Sequence, residues 1–140
     1  MNPAPDAPWF VSADPALIDA EAVHRLLRGS YWAESRSLAT VQASLRHSVC
    51  FGAYLREGTR QIGFARVVTD HATFSWICDV IVDERHRGQG VGKALMAAVM
   101  AHPSVQSTTN LLGTRDAHGL YERFGFVRRE MLRRSGRAFG

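Results

Sequence analysis

The sequence predicts an α/β fold of the α+β kind, in which a central mixed but mostly antiparallel sheet is flanked by helices. Three β-rich runs at 49–55, 61–68 and 74–82 are joined by short turn-like segments, as in an antiparallel meander. The third run is apolar on both faces, which favours a central strand. Segments with helical periodicity lie on both sides of these runs. The 140 residues, 46% of them apolar, can bury one core, so we expect a single domain over residues 1–140.

The chain before the meander predicts one strand and two helices. WFVS, residues 9–12, is typical of a short strand. A helix should follow, because Asp14 or Asp19 can cap its N-terminus and Gly29 can end it. The run 37–48 has apolar residues at helical spacing and predicts the second helix.

The chain after the meander predicts two further helices and two further strands. A helix should begin near Val91 and end before Pro103, which cannot continue a helix. The remaining elements are a strand, a short helix and a last strand, at 109–114, 116–124 and 126–132. The expected order is therefore β-α-α-β-β-β-α-β-α-β.

The net charge of +4 comes from the C-terminal end, where residues 127–140 hold five arginines and one glutamate. We expect these arginines to form a solvated face, and residues 1–8 and about 133–140 to be loose. A basic nucleic-acid-binding module is the alternative. It is disfavoured because no aromatic ladder accompanies the arginines.

The sequence favours a cytoplasmic protein with no membrane contact. It holds no apolar segment of transmembrane length, and its N-terminus, MNPAPDAPWF, lacks the regions of a signal peptide. Cys50 and Cys78 make no metal-spaced cluster, and the six histidines form no HxxxH or HExxH pair. We therefore expect reduced, buried thiols and no metal.

The stretch DVIVDERHRGQGVGKALM, residues 79–96, places three glycines where a strand gives way to a helix. They predict either a tight turn or a cradle for a phosphate at the helix N-terminus. The loop fails the Walker A pattern, since no Ser or Thr follows Lys93. It also fails the dinucleotide fingerprint, whose third glycine would fall at Lys93.

Two motifs give the chain a family resemblance. Arg87, Gly90 and Gly92 match the pattern Q/R-x-x-G-x-G/A, by which the chain resembles the GNAT superfamily of N-acetyltransferases. LYERFGF, residues 120–126, is similar to the family's LYEKLGF, and the two motifs stand in the family's order. The resemblance covers residues 9 to about 132. The stretch RDAHGLYE also resembles a group of short bacterial GNAT proteins.

The resemblance implies that acetyl-CoA is the co-substrate and that the glycine loop binds its pyrophosphate. The residues expected to do so, mainly through backbone N–H groups, are Arg87, Gly88, Gln89, Gly90, Val91, Gly92 and Lys93. In the family, the preceding strand parts from the next strand at the acyl-CoA site. The backbone of Val80, Ile81 and Val82 would then pair with the pantetheine arm, and a freed N–H would stabilise the oxyanion. Thr114 stands where the family often has a cofactor-binding Asn, so either Thr114 or Asp116 substitutes for it or the contact is absent.

The resemblance also implies roles in proton transfer. Tyr121 corresponds to the family's general acid, which protonates the departing thiolate, although it could simply anchor a short helix. Asp79 is a candidate general base, and the alternative is a structural partner for a buried arginine such as Arg66. His118 or a water chain could also serve as the base, so no base is assigned.

The implied activity is direct transfer of an acetyl group from acetyl-CoA to a primary amine within a ternary complex. Tyr31 and Trp32, between the first two helices, could wall the acceptor pocket, or could bury an aromatic ring against the sheet. The acceptor is expected to be a small molecule or a peptide, and family analogy points to a homodimer. A non-catalytic acyl-CoA sensor on the same fold is the alternative.

Overall fold

Five strands form one sheet in the computed structural model, which describes residues 3–136. The strands are β1 (Trp9–Ser12), β2 (Val49–Leu55), β3 (Gln61–Thr69), β4 (Phe74–Val82) and β5 (Thr109–Leu111). They lie side by side in chain order; the first four are antiparallel, and β5 runs parallel to β4. The predicted meander and the mixed, mostly antiparallel sheet are both confirmed.

Helices cover both faces of this sheet. They are α1 (Ala20–Leu27), α2 (Leu38–Arg46), α3 (Val91–Ala101), α4 (Pro103–Gln106) and α5 (His118–Glu122). The short helix α4 was not predicted. Pro103 ends α3 as expected, but it also opens α4, where its missing N–H removes no helical hydrogen bond.

Asp14 and Asp19, the two candidate helix caps, each cap a different element. The Asp14 carboxylate accepts the N–H of Ala16 at 2.9 Å and caps a 3₁₀ turn. The Asp19 carboxylate accepts the N–H groups of Glu21 and Ala22, at 3.1 and 3.2 Å, and caps α1. The single helix predicted for this stretch is therefore a turn followed by a helix.

Two apolar layers hold the helices to the sheet. The layer under α3 contains Phe51, Ile62, Val67, Ile77, Leu95 and Met96. The layer under α1 and α2 contains Val23, Leu27, Val41, Phe64 and Ile81. Each fully buried side chain of this size contributes about 1.5–3 kcal/mol, so the sheet is a firm platform for the loops at its edges.

The last predicted strand, at 126–132, is wrong. Residues 126–136, the final part of the described chain, form no strand. A strand needs a neighbour for its backbone hydrogen bonds, and β5 at this edge of the sheet has 3 residues. Beyond Phe126, which packs against the core, the apolar side chains of this segment are consequently exposed, with Val127 69% and Leu132 94% exposed.

The ends of the chain, predicted to be loose at 1–8 and 133–140, lie partly outside the described residues. Within them, Ala7 and Pro8 are fastened to the sheet by Arg56, whose side-chain Nε donates to the Ala7 carbonyl at 2.7 Å. The Arg56 backbone N–H donates to the Pro8 carbonyl at 2.9 Å. No helix in the described part of the chain has the length and hydropathy needed to cross a bilayer.

Candidate active site

The glycine loop joins β4 to α3 and has left-handed backbone at two positions. Gly88 has a φ of 80° and Gly90 a φ of 84°, values that residues with a Cβ atom rarely adopt. Gly90 is also the N-cap of α3. A Cβ at either position would meet nothing within 4 Å. The two glycines are therefore required by the turn itself, and the space beside them is open.

The start of α3 faces this open space. The first N–H groups of a helix lack intrahelical partners, and they carry the positive end of the helix dipole. A Cβ on Gly92 would lie 3.7 Å from Val82 Cγ2, so the helix packs closely on the end of β4. Arg87 Nε donates to the Val82 carbonyl at 3.3 Å, while Lys93 is exposed. The arrangement can receive an anion.

A groove of about 480 Å³ borders the glycine loop. Its lining residues are Pro3, Ala4, Ala7, Pro8, Trp9, Gln89, Gly90, Lys93 and Ala94. One wall thus comes from the N-terminal segment. Sequence reasoning missed this wall, because nothing local in residues 3–9 indicates which loop they would approach.

The pairing of β4 with β5 ends well before β4 does. Their parallel pairing covers three positions, from Phe74 opposite Thr109 to Trp76 opposite Leu111. β4 continues to Val82. Along residues 77–82, the β4 edge that faces this opening has no β5 residue opposite it in the described chain. Its backbone is therefore placed to pair with an extended ligand.

The side chains of Val80, Ile81 and Val82 serve the core. Ile81 is 6% exposed in the layer under α1 and α2, and Val80 and Val82 pack against the layer under α3. These side chains therefore belong to the core, and pairing of their backbone with a ligand stays a prediction.

A β-bulge lies within this part of β4. Phe64 is opposite Ile81 and Arg66 is opposite Cys78, so two residues of β4, Asp79 and its successor, face the single residue between them on β3. Asp79 has a φ of 54°. Asp tolerates this left-handed conformation better than most residues, but it remains uncommon outside glycine. The bulge redirects the β4 backbone at the opening.

The Asp79 carboxylate accepts three charged or polar donors. Trp32 Nε1 donates to Oδ1 at 3.0 Å, while Arg36 Nη1 and Arg66 Nε donate to Oδ2 at 2.7 and 2.8 Å. The Asp79 side chain is 2% exposed. Burial acts to raise the pKa of Asp79, but the charges and hydrogen bonds of Arg66 and Arg36 outweigh burial, and the pKa is lowered. The geometry favours a structural partner over a general base.

Tyr121 lies on α5, half-buried against the layer under α3. Its ring packs edge-on to that of Phe126, with 6.2 Å between centroids. Burial, with smaller contributions from Tyr31 and Asp116, raises the pKa of Tyr121 to about 12. The hydroxyl therefore keeps its proton at neutral pH, as a proton donor must.

Thr114 and Asp116 lie in the loop before α5. The Thr114 hydroxyl accepts the N–H of Ala117 at 3.0 Å, so it stabilises the start of α5. Asp116 is exposed. A cavity of about 360 Å³ adjoins Thr114, His118 and Tyr121, and the segment that follows α5 forms its outer wall.

Tyr31 and Trp32 lie between α1 and α2 and are 42% and 41% exposed. The two rings meet edge to face with centroids 5.0 Å apart. The Tyr31 hydroxyl accepts the backbone N–H of Arg115 at 3.1 Å, and the Arg115 guanidinium lies 3.7 Å from the Tyr31 ring centroid. Both residues are therefore partly open to solvent, and their contact with an acceptor stays a prediction.

Arg36 and Arg115, which contact Asp79 and Tyr31 in the candidate site, were not predicted from the sequence. Their partners are 43 and 84 residues away along the chain. No local motif marks either arginine. In residues 3–136, no group of three or more His, Cys, Asp or Glu side chains is placed to hold a metal ion.

Comparison with known proteins identifies the family. Residues 46–128, more than half of the chain, match the family model of the acetyltransferase (GNAT) domain. The chain belongs to the GNAT family. The matched residues of this GNAT protein include β2, β3, β4, the glycine loop, α3 and α5.

Individual GNAT relatives agree with this result. A crystal structure of a GNAT-family protein from Xanthomonas campestris pv. campestris is 43% identical, covers 96% of both chains and superposes with a TM-score of 0.84. A glucosamine-6-phosphate N-acetyltransferase from Arabidopsis thaliana covers 92% of this chain and 98% of its own, with a TM-score of 0.70. At 14% identity it shows the fold alone. A protein of Gibberella zeae named as an acetyltransferase is 28% identical over 63% of this chain, which spans 60% of that relative's length.

Proposed function

We propose that this GNAT protein is an N-acetyltransferase that moves an acetyl group from acetyl-CoA to a primary amine of a small molecule or peptide. Transfer is direct, within a ternary complex. The observation that carries the proposal is the meeting of two features at one end of β4. These are the left-handed glycine loop at the start of α3 and the opening between β4 and β5.

The residues present fit acetyl-CoA. A Cβ on Gly88 or Gly90 would project into the space where the pyrophosphate is expected, and the start of α3 supplies N–H donors there. The backbone of 80–82 would hold the pantetheine arm, and Lys93 adds a positive charge at the rim. When bound, acetyl-CoA supplies an acetyl group activated as a thioester.

Tyr121 is the proposed general acid, because its hydroxyl is protonated over the working pH range and adjoins a cavity. The proposed base is His118 or a water chain, since the Asp79 carboxylate is already engaged by two arginines. Tyr31 and Trp32 are the proposed wall for the acceptor. Thr114 acts on the cofactor indirectly, by stabilising the start of α5.

Calorimetry with acetyl-CoA, dephospho-coenzyme A and ATP tests the binding half of the proposal. Micromolar binding of acetyl-CoA, on the order of −8 kcal/mol, is the expected result, and absence of binding would overturn the cofactor assignment. The second half needs turnover, measured as free thiol release with phenethylamine, spermidine, free amino acids and a peptide with a free N-terminus. Binding without turnover of any amine would favour the acyl-CoA sensor.

Two expectations stay predictions. Size-exclusion chromatography with light scattering tests the homodimer suggested by family analogy. Localisation of a tagged chain in cells tests the cytoplasmic assignment.

A further inference from the structure

The segment between α1 and α2, residues 28–37, contacts both sides of the opening between β4 and β5. We call this segment the α1–α2 loop. On the β4 side, Trp32 and Arg36 donate to the carboxylate of Asp79. On the other side, the Tyr31 hydroxyl accepts the backbone N–H of Arg115, in the chain that follows β5. The α1–α2 loop therefore joins β4 to the chain that follows β5.

The β4 end of this bridge is a buried ion cluster. The Asp79 side chain is 2% exposed, and those of Arg36 and Arg66 are 19% and 14% exposed. Charge-assisted hydrogen bonds of this kind are strong and directional, and losing one partner inside a protein is costly. The carboxylate can thus hold the α1–α2 loop in one position.

The other end is weaker and more exposed. It consists of one hydrogen bond of 3.1 Å and one cation–π contact between Arg115 and Tyr31. Arg115 and Tyr31 are both exposed, so water competes with these contacts. The asymmetry makes Asp79 the fixed point of the bridge.

We propose that Asp79 is a positioning residue, which anchors the α1–α2 loop through Trp32 and Arg36 and so sets where an amine acceptor meets the β4 edge. The proposal rests on the proposed function in assuming that an amine acceptor binds here, but the anchoring itself can be tested without turnover. It differs from a general base, because Asp79 stays ionised and gains no proton during the reaction. It also differs from a plain core ion pair with Arg66, which would leave Trp32 and Arg36 without a role.

The variants that test the anchor keep the carboxylate. Trp32→Phe removes one donor while retaining an aromatic ring, and Arg36→Gln removes another. Arg46→Gln is the control for the same substitution, because Arg46 is exposed in the last turn of α2, outside the α1–α2 loop. With the fastest amine of the panel, we expect Trp32→Phe and Arg36→Gln to raise the amine KM at least tenfold. Acetyl-CoA affinity should be unchanged, as should both constants in the control.

Two kinetic results would overturn the proposal. If both loop variants leave the amine KM unchanged, Asp79 does not act through the α1–α2 loop. If Asp79→Asn removes an ionisation from the pH profile of kcat, Asp79 is a base instead. The groups facing Asp79 in such a profile are Arg36, Arg66 and the thiols of Cys50 and Cys78.

A spectroscopic test needs no acceptor and remains decisive if no amine of the panel is acetylated. The indole N–H signal of Trp32, assigned by its loss in Trp32→Phe, should be unchanged from about pH 5 to 9 because Asp79 stays ionised. Asp79→Asn should move this signal and speed its exchange with water, and Arg36→Gln should speed its exchange. An indole signal that titrates in that range, or that ignores Asp79→Asn in a folded variant, would refute the anchor. These results do not depend on whether the protein acetylates any amine.

Discussion

Trp76 lies opposite Leu111, and this pair is the last one in the parallel ladder between β4 and β5. Beyond it β4 runs on to Val82, while the chain after Leu111 turns away towards α5. The end of this short ladder fixes where the opening begins. The glycine loop, at the far end of β4, fixes where the opening ends.

Gly90→Glu should weaken acetyl-CoA binding at least tenfold. The new side chain would project into the open space at the start of α3 and place a carboxylate where a pyrophosphate is expected. Calorimetric titration of the folded variant measures the effect. The matched control is Gly58→Glu, because Gly58 also has a left-handed φ, 78° against 84° for Gly90, with nothing within 4 Å of its Cβ position. Equal affinities in the two variants would refute the loop assignment.

Tyr121→Phe should lower kcat by about a hundredfold, the low end of the effect of losing a general acid, and leave acetyl-CoA affinity unchanged. Because the pKa of Tyr121 is raised to about 12, its loss of a proton should not reduce the wild-type rate below about pH 10. A pH profile of kcat checks both statements. Tyr54→Phe serves as the control, and similar losses in both variants would remove Tyr121 from the mechanism.

The fold was largely predictable because its signals are local. The three strands of the meander are marked by β-rich runs and short turns, and the loop by glycines at 88 and 90, whose φ values need glycine. The parting of β4 and β5 followed from the family resemblance. None of these inferences required knowledge of which distant residues touch.

The features that the sequence did not predict depend on contacts between residues far apart in the chain. The strand predicted at 126–132 has β-rich character but finds no neighbour beside the short β5. The engagement of Asp79 by Arg36 joins residues 43 apart in sequence, which no periodicity encodes. The sequence left two roles open for Asp79, and its ion pairs with Arg36 and Arg66 favour the structural one.

Tyr54→Phe should leave the free energy of unfolding unchanged or raise it by about 1 kcal/mol. The Tyr54 hydroxyl is buried and has no hydrogen-bond partner among the described residues, so it has lost its water without a replacement. Urea denaturation of both proteins measures the difference. A clear loss of stability would mean that the hydroxyl has a partner in solution.

Gly52→Ala should destabilise the fold by about 1–3 kcal/mol. The ring of Tyr54 lies directly over Gly52, and an added Cβ would overlap its hydroxyl and ring carbons. The tyrosine is 1% exposed and has little room to move. The urea midpoint reports the loss, and Gly119→Ala is the comparison, since a Cβ there meets nothing within 4 Å.

Stability should fall as the pH rises from about 9 to 11. Burial raises the pKa of Cys50 from 9.0 to about 11 and that of Cys78 from 9.0 to about 12. In this window the unfolded chain releases thiol protons that the folded chain retains, so alkali favours unfolding. The contribution is fully present below about pH 9. Urea midpoints in reducing buffer should drop less steeply in Cys78→Ala, and an identical slope would contradict the assignment.

Lys93 is the one lysine of the sequence, and it lies exposed on the first turn of α3. Amine-directed labelling therefore modifies a single side chain, beside the glycine loop, in addition to the α-amino group of the chain. A mass tag added there would show that the side chain and the neighbouring groove are open to the reagent. If added acetyl-CoA protects Lys93 from acylating reagents, peptide mapping of this one side chain would locate the bound ligand beside the glycine loop.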